Sequence, residues 1–319
     1  MKASLNQAGQ VLTTLTNASD KQAQRLIENG DLLKMLMWST AGVDRKAVFE
    51  ALGLGPADKM EQTMDNLKAM EIASRIMGRN YFGPQQVMQA FDFNLPLVDI
   101  PPFCFSERDL KTAKRLNQLL VLRVDEIDGR SITCHTIFGV GEHTGRPDYL
   151  MTHTPRRGWA LISHGVLGGS TQMNLLSQTD YLVSYIRDQV FESCRVPPVY
   201  QQALDEYETK RPGLQDLVPV DADRRNTDAE AKVFFRAFGP LGINALVRPQ
   251  PVETVYDDFL YRKITGHVLR SRRSGWVWTS YLTESGLLAV EEDCRGMGIM
   301  LPFYSGPESS LGVYFSRYD

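Results

Sequence analysis

Of the five histidines in this chain, His135, His143, His153 and His164 follow one another at separations of 8, 10 and 11 residues. Imidazoles gathered in this way are raw material for a metal centre or a general base. Their spacing matches neither a His-Glu-x-x-His helix nor paired Cys/His ligands, so only a distributed site could use them. Ordinary loop or strand histidines are the plainer reading. The stretch "GVGEH" at 139–143 lacks the third glycine and the strand-to-helix setting of a dinucleotide fingerprint. "GVLGGS" at 165–170 precedes a helical pattern, where free backbone amides can meet an anion, but no P-loop lysine follows. No Gly-x-Ser-x-Gly elbow is present.

Three other groupings carry chemistry. The acids Glu291, Glu292 and Asp293 are consecutive, so on a strand they would alternate between faces, and a solvated loop is the simpler expectation. In "HVLRSRRSGWVW" at 267–278, Arg270, Arg272 and Arg273 stand beside Trp276 and Trp278, a mixture that can bind single-stranded nucleic acid. A net charge of -3 argues against that use and favours Trp278 as a core anchor. The four cysteines, Cys104, Cys134, Cys194 and Cys294, form no Cys-x-x-Cys pair and are expected to be free thiols in a reducing compartment.

The elements that position these groups follow from periodicity. With 43% apolar and 23% charged residues over 319 positions, the chain can bury a sizeable core without disulfides or metals. No run approaches the roughly 18 apolar residues of a membrane span, and the start lacks the apolar centre of a secretory signal. The expected location is cytoplasm or a virion. Residues 1–95 read as a helical region of unknown role, closed by the proline-rich "FNLPLVDIPPF" as a linker. Ser106 with Asp109 three residues on predicts a capped short helix. Asp128-Gly129 predicts a hairpin between two β-rich runs within 119–138. "GWALISHGVL" reads as a strand, and an amphipathic helix follows with Ser170 as its cap and Leu175, Leu176, Tyr181, Leu182, Tyr185 and Ile186 inward. A helix after Pro197-Pro198 and two more at "DAEAKVFFRAFGPLG" and "PVETVYDDFLYRKI" come next. Beyond Arg270 the pattern becomes short β-prone runs, ending in "LGVYFSR", where Leu311, Val313 and Phe315 alternate with Gly312, Tyr314 and Ser316.

Residues 155–319, through Trp278-Thr279-Ser280, Gly286 to Val290, Gly298 to Leu301 and Leu311 to Arg317, resemble the C-terminal portion of variable proteins of diversity-generating retroelements. The resemblance implies an α+β chain: helices in 1–95, then a C-type-lectin-like domain of the formylglycine-generating-enzyme type in 96–319, with small antiparallel sheets, two main helices and much irregular backbone. It implies that the last strand pairs near the start of the domain and closes it. Leu288, Val290, Ile299, Leu301, Leu311, Val313 and Phe315 would face inward. The diversified, ligand-facing patch would be Tyr281, Ala289, Glu291, Glu292, Asp293, Arg295, Met297, Met300, Phe303, Tyr304, Ser305, Glu308, Ser309 and Tyr314. Its aromatics offer large contact area at low rotamer cost. The function implied is binding of a macromolecular ligand, foremost a protein, without catalysis, cofactor, metal or nucleic acid. A metal- or histidine-dependent enzyme using the His135 to His164 region and a structural component of a phage particle remain the alternatives.

Overall fold

The computed structural model describes residues 57–95, 99–138, 152–171, 173–192, 194–218, 227–269, 276–283, 286–293, 296–300 and 311–318. They form an α+β structure with small sheets. The chain divides into two compact units, Met1–Glu71 with Asn94–Phe103, and Ile72–Phe93 with Cys104–Asp319. The boundary falls inside the first described helix, α1 (Ala57–Met77), and does not coincide with the division expected at residue 95. In the first unit the end of the proline-rich segment, at Pro101 and Phe103, is pinned rather than slack. Asn66 on α1 donates to the carbonyl of Pro101 (3.1 Å) and accepts from the amide of Phe103 (2.8 Å). Prolines leave fewer backbone donors to satisfy, and the buried Asn66 amide serves one of those that remain, the Phe103 N–H.

The second unit is built on two four-stranded sheets. The first has the order β1-β2-β5-β10, from β1 (Tyr81–Phe82), β2 (Gln118–Arg123), β5 (Gly158–Ser163) and β10 (Ser316–Tyr318). β1 runs parallel to β2, while β2–β5 and β5–β10 are antiparallel. Helix α2 (Pro84–Phe91) follows β1, and α3 (Glu107–Arg115) precedes β2. The capping box at α3 forms as expected: the amide of Asp109 donates to Ser106 Oγ (3.2 Å), and the amide of Ser106 donates to Asp109 Oδ2 (3.1 Å). The Asp128-Gly129 turn also forms, with φ of 48° and 75°. It joins only two-residue strands, β3 (Glu126–Ile127) and β4 (Arg130–Ser131). β2 pairs instead with β1 and β5. The run after β4 becomes the short helix α4 (Cys134–Phe138), because Thr133 and Thr136 satisfy each other's amides at its start.

Among the described residues between β5 and β6 are five α-helices: α5 (Leu175–Tyr185) with a π-helical turn at Ile186–Val190, α6 (Pro198–Leu217), α7 (Thr227–Phe238), α8 (Gly242–Val247) and α9 (Pro251–Thr265). The resemblance implied two main helices, whereas periodicity placed α5, α6, α7 and α9; short α8 has too few residues to show a period. Asn174, not Ser170, caps α5, accepting from the amide of Ser177 at 2.8 Å. Ser170 is committed elsewhere, as described below. Of the expected inward residues of this helix, only Tyr181 is not buried. A core of Leu176, Leu182, Ile186, Leu204, Phe234, Phe235, Phe238, Trp278, Val313 and Phe315 joins these helices to the final strands.

The second sheet has the order β8-β7-β6-β9, from β6 (Trp276–Thr283), β7 (Gly286–Asp293), β8 (Gly296–Met300) and β9 (Leu311–Gly312). β9 runs parallel to β6, so neither sheet is wholly antiparallel. The expected final strand is therefore two strands in two sheets: β9 on β6, then β10 on β5, with Val313–Phe315 crossing between them. Residues 312–317 are all buried. Tyr314, expected outward, is 1% exposed. Alternation predicts one wet face only for a strand with one covered side, and a segment spanning two sheets has neighbours on both.

Candidate functional site

The expected ligand surface rests on β6, β7 and β8, so register decides which positions share a face. β6 and β7 align Val277 with Val290 and Trp278 with Ala289. β7 and β8 align Ala289 with Met300, Val290 with Ile299, Glu291 with Gly298 and Glu292 with Met297. With a side-chain period of two, positions 289, 291, 293 and 300 lie on the face of Trp278, and 288, 290, 292, 297 and 299 lie on the face of Val277. The expected patch is thus divided: Ala289, Glu291, Asp293 and Met300 on one face, Glu292 and Met297 on the other. The three consecutive acids end a strand instead of occupying a loop. Both Trp278 (1% exposed) and Val277 (0%) are buried, so each face is covered at that point. Trp278 packs on Phe235 of α7 at 6.2 Å between ring centroids. Helices α7 and α9 both pack against β7.

Tyr281 is half-buried, with its ring edge-on to His153 at 5.6 Å. Arg295, Phe303, Tyr304, Ser305, Glu308 and Ser309, with Leu301, lie outside the described residues, as do Arg270, Arg272, Arg273, His143 and Cys294. Cys104, Cys134 and Cys194 form no disulfide with one another. His153 and His164 sit on either side of β5 in sequence and have different partners, Tyr281 and Tyr261. Among the described residues no group of His, Cys, Asp and Glu could hold a metal ion.

The frame that carries the sheet is tied by the chain's end. Ser163 Oγ accepts from the amide of Phe315 (3.0 Å), and the Phe315 carbonyl accepts from the amide of Ser163 (2.9 Å). Ser170 Oγ accepts from the amide of Val313 (3.0 Å), and the Val313 carbonyl accepts from Leu167 (2.8 Å). The "GVLGGS" stretch therefore grips the crossing segment, and α5 begins only at Leu175. Gly312 lies so close that a Cβ there would sit 2.2 Å from Val166 Cγ1, so only glycine fits.

Beneath the first sheet lies a charged cluster that periodicity did not reveal. Arg123, at the end of β2, is fully buried; its Nε donates to Asp257 Oδ1 at 2.8 Å and its Nη2 to Asp257 Oδ2. Glu253 Oε2 is 3.6 Å away. Glu253 also accepts from Arg156 Nε (2.7 Å) and from the amide of Gln250 (2.7 Å), which caps α9. Both guanidiniums lie over the ring of Tyr318, Arg156 at 3.6 Å and Arg123 at 4.9 Å from its centroid. Burial opposes the charge of Arg123, and Asp257 and Glu253 more than reverse that, holding its pKa above the ordinary value. The readable signal was Glu253 and Asp257 at i and i+4 among Val252, Val255, Tyr256 and Leu260, with one Arg directly after an apolar strand run.

Two more buried cations brace the frame. Arg317 Nη1 donates to Asp109 Oδ1 at 2.8 Å, with its guanidinium 4.9 Å from the ring centroid of Phe191. Burial raises the Asp109 pKa, but Ser106 and Arg317 outweigh it and bring the carboxyl below its ordinary value. Arg248 is fully buried, held by Asn244 Oδ1 and Thr179 Oγ1 at 3.0 Å each, and burial pushes its pKa down to about 10. These groups are engaged with one another inside the protein and can position strands. In the two strands β7 and β8 the polar positions are Glu291, Glu292 and Asp293, at the end of β7. Comparison of the chain with protein-family models, with curated proteins and with solved structures returned no match.

Proposed function

We propose that this chain is a ligand-binding variable protein of a diversity-generating retroelement, presenting replaceable residues on a C-type-lectin-like frame. The observation that carries the reading is the double use of the chain's end. β10 pairs with β5 at the start of the resembled region, and β9 pairs with β6, so one terminal segment locks both sheets. A backbone held this way tolerates changes at positions that do not contribute to the lock. A rigid frame also loses little entropy on binding, which suits recognition of a protein surface. The ligand-facing set centres on Glu291, Glu292 and Asp293 at the end of β7, Arg295, Met297, and Phe303 to Ser309. At the last ladder pair, Asp293 with Gly296, residues from both faces of a hairpin can reach one ligand. Ala289 and Met300, in line with buried Trp278, are the least suited to vary.

The test has a genetic and a physical arm. A near-identical non-coding repeat of the gene's end, beside a reverse-transcriptase gene, is expected, with differences at template adenines. Absence of both overturns the retroelement part. Replacing Glu291, Glu292, Met297 and Tyr304 together is expected to move stability by no more than about 0.5 kcal/mol per site. Loss of cooperative unfolding in that variant would refute the replaceable surface.

A further inference from the structure

A chain of four polar side chains on the second unit carries directional information from a backbone carbonyl to a phenol. The carbonyl of Gln118 can only accept, and Asn80 Nδ2 lies 3.1 Å from it, so the Asn80 amide has one allowed orientation. The same nitrogen faces Asn117 Oδ1 at 3.4 Å. Asn117, held at a φ of 53°, is thereby oriented with Nδ2 towards His164 Nδ1 at 3.1 Å. Nδ1 must accept, so the ring proton resides on Nε2 and is donated to Tyr261 Oη at 2.9 Å.

We propose that Asn80, Asn117, His164 and Tyr261 form a proton-sensitive clasp that holds the Ser163–Ser170 connection, and through it the crossing segment at Val313–Phe315. Protonation puts a hydrogen on Nδ1, where Asn117 also presents hydrogens. Turning the Asn117 amide moves the clash to Asn80, and Asn80 cannot turn without facing the Gln118 carbonyl with its own oxygen. Asn117 and His164 are both exposed, so one link gives way to water. Among the described residues, the charged and titratable groups bearing on the ring are Arg79 and Tyr261. His164 is exposed on one side, and its partial desolvation, then Arg79, lower its pKa below 6.5, which agrees with the geometry. For a base whose folded pKa is depressed, the unfolded chain takes the proton first. Stability therefore falls as pH drops below 6.5 and stops falling once the folded pKa is passed. The connection released is the one that holds the amides of Val313 and Phe315 through Ser170 and Ser163.

Nitrogen-15 NMR of the full chain at neutral pH is expected to find His164 in the Nε2–H form, and an Nδ1–H form would overturn the clasp. Asn117→Asp replaces the donor by an acceptor and is expected to raise the His164 pKa by about one unit or more, with the proton moving to Nδ1. An unchanged titration would overturn it. Independently, amide exchange at Val313 and Phe315, corrected for intrinsic rates, is expected to be roughly tenfold less protected at about pH 5 than at about pH 7.5. In His164→Gln, which can accept and donate but not charge, that difference is expected to vanish. An equal response in both proteins would refute the coupling.

Discussion

The two sheets of the second unit receive the same terminal segment and hold it by different means. In β1-β2-β5-β10, Tyr318 at the end of β10 lies beneath two guanidiniums that are themselves paired with Glu253 and Asp257. In β8-β7-β6-β9 the neighbouring Gly312 pairs with buried Val277 of β6 and lies close against Val166. Charge cancellation and close packing fail differently. A buried ion whose partner is removed keeps its full desolvation penalty, whereas a packing fault can relax locally.

The largest effect is therefore expected on the charged side. Arg123→Ala leaves two carboxylates without their buried cation and should cost about 3–5 kcal/mol in urea unfolding. Replacing Arg123, Glu253 and Asp257 together by apolar residues of similar volume should recover most of it. If the triple variant is no better than Arg123→Ala, the cluster does more than balance charge. Next comes the packed side: Gly312→Ala forces a methyl against Val166 and should cost about 1–3 kcal/mol. An effect equal to that of Arg123→Ala would erase the contrast between the sheets. A smaller change tests the brace of Arg317: Ser106→Ala removes a helix cap worth about 1 kcal/mol. The last concerns pH. With the Asp109 pKa lowered in the folded state, its contribution is present above the unfolded value of 3.8 and is lost as pH falls through the folded value. Asp109→Asn should flatten the acid limb of the stability curve, and an unchanged limb would place the pairing with Arg317 outside the stability balance.

Local signals were read where the chain speaks for itself. The Ser106–Asp109 capping box, the Asp128-Gly129 turn and strand β5 all form as their residues suggest. Helices α7 and α9 lie where their apolar spacing places them, and Trp278 is the core anchor its setting implied. These features depend on residues a few positions apart. The reading of Tyr314 as outward failed because burial on the second side comes from elements far away in sequence, and period-two alternation is silent about those. The candidate patch was legible as a set of residue types. Its division between two faces needed the register of β6, β7 and β8.

The amino-acid sequence by itself determined the helical and strand-forming segments, their caps and turns, and the apolar residues that had to leave water. Caps, turns and periodicity act within one or two turns of backbone, so no distant partner is required. Only the tertiary structure decided that Arg123 meets Asp257 across 134 positions, and that the last residues belong to two sheets. Only it set Asn117 and Tyr261 on opposite sides of one imidazole. Those outcomes depend on which surfaces come together when the core closes, and local propensity carries no record of that choice.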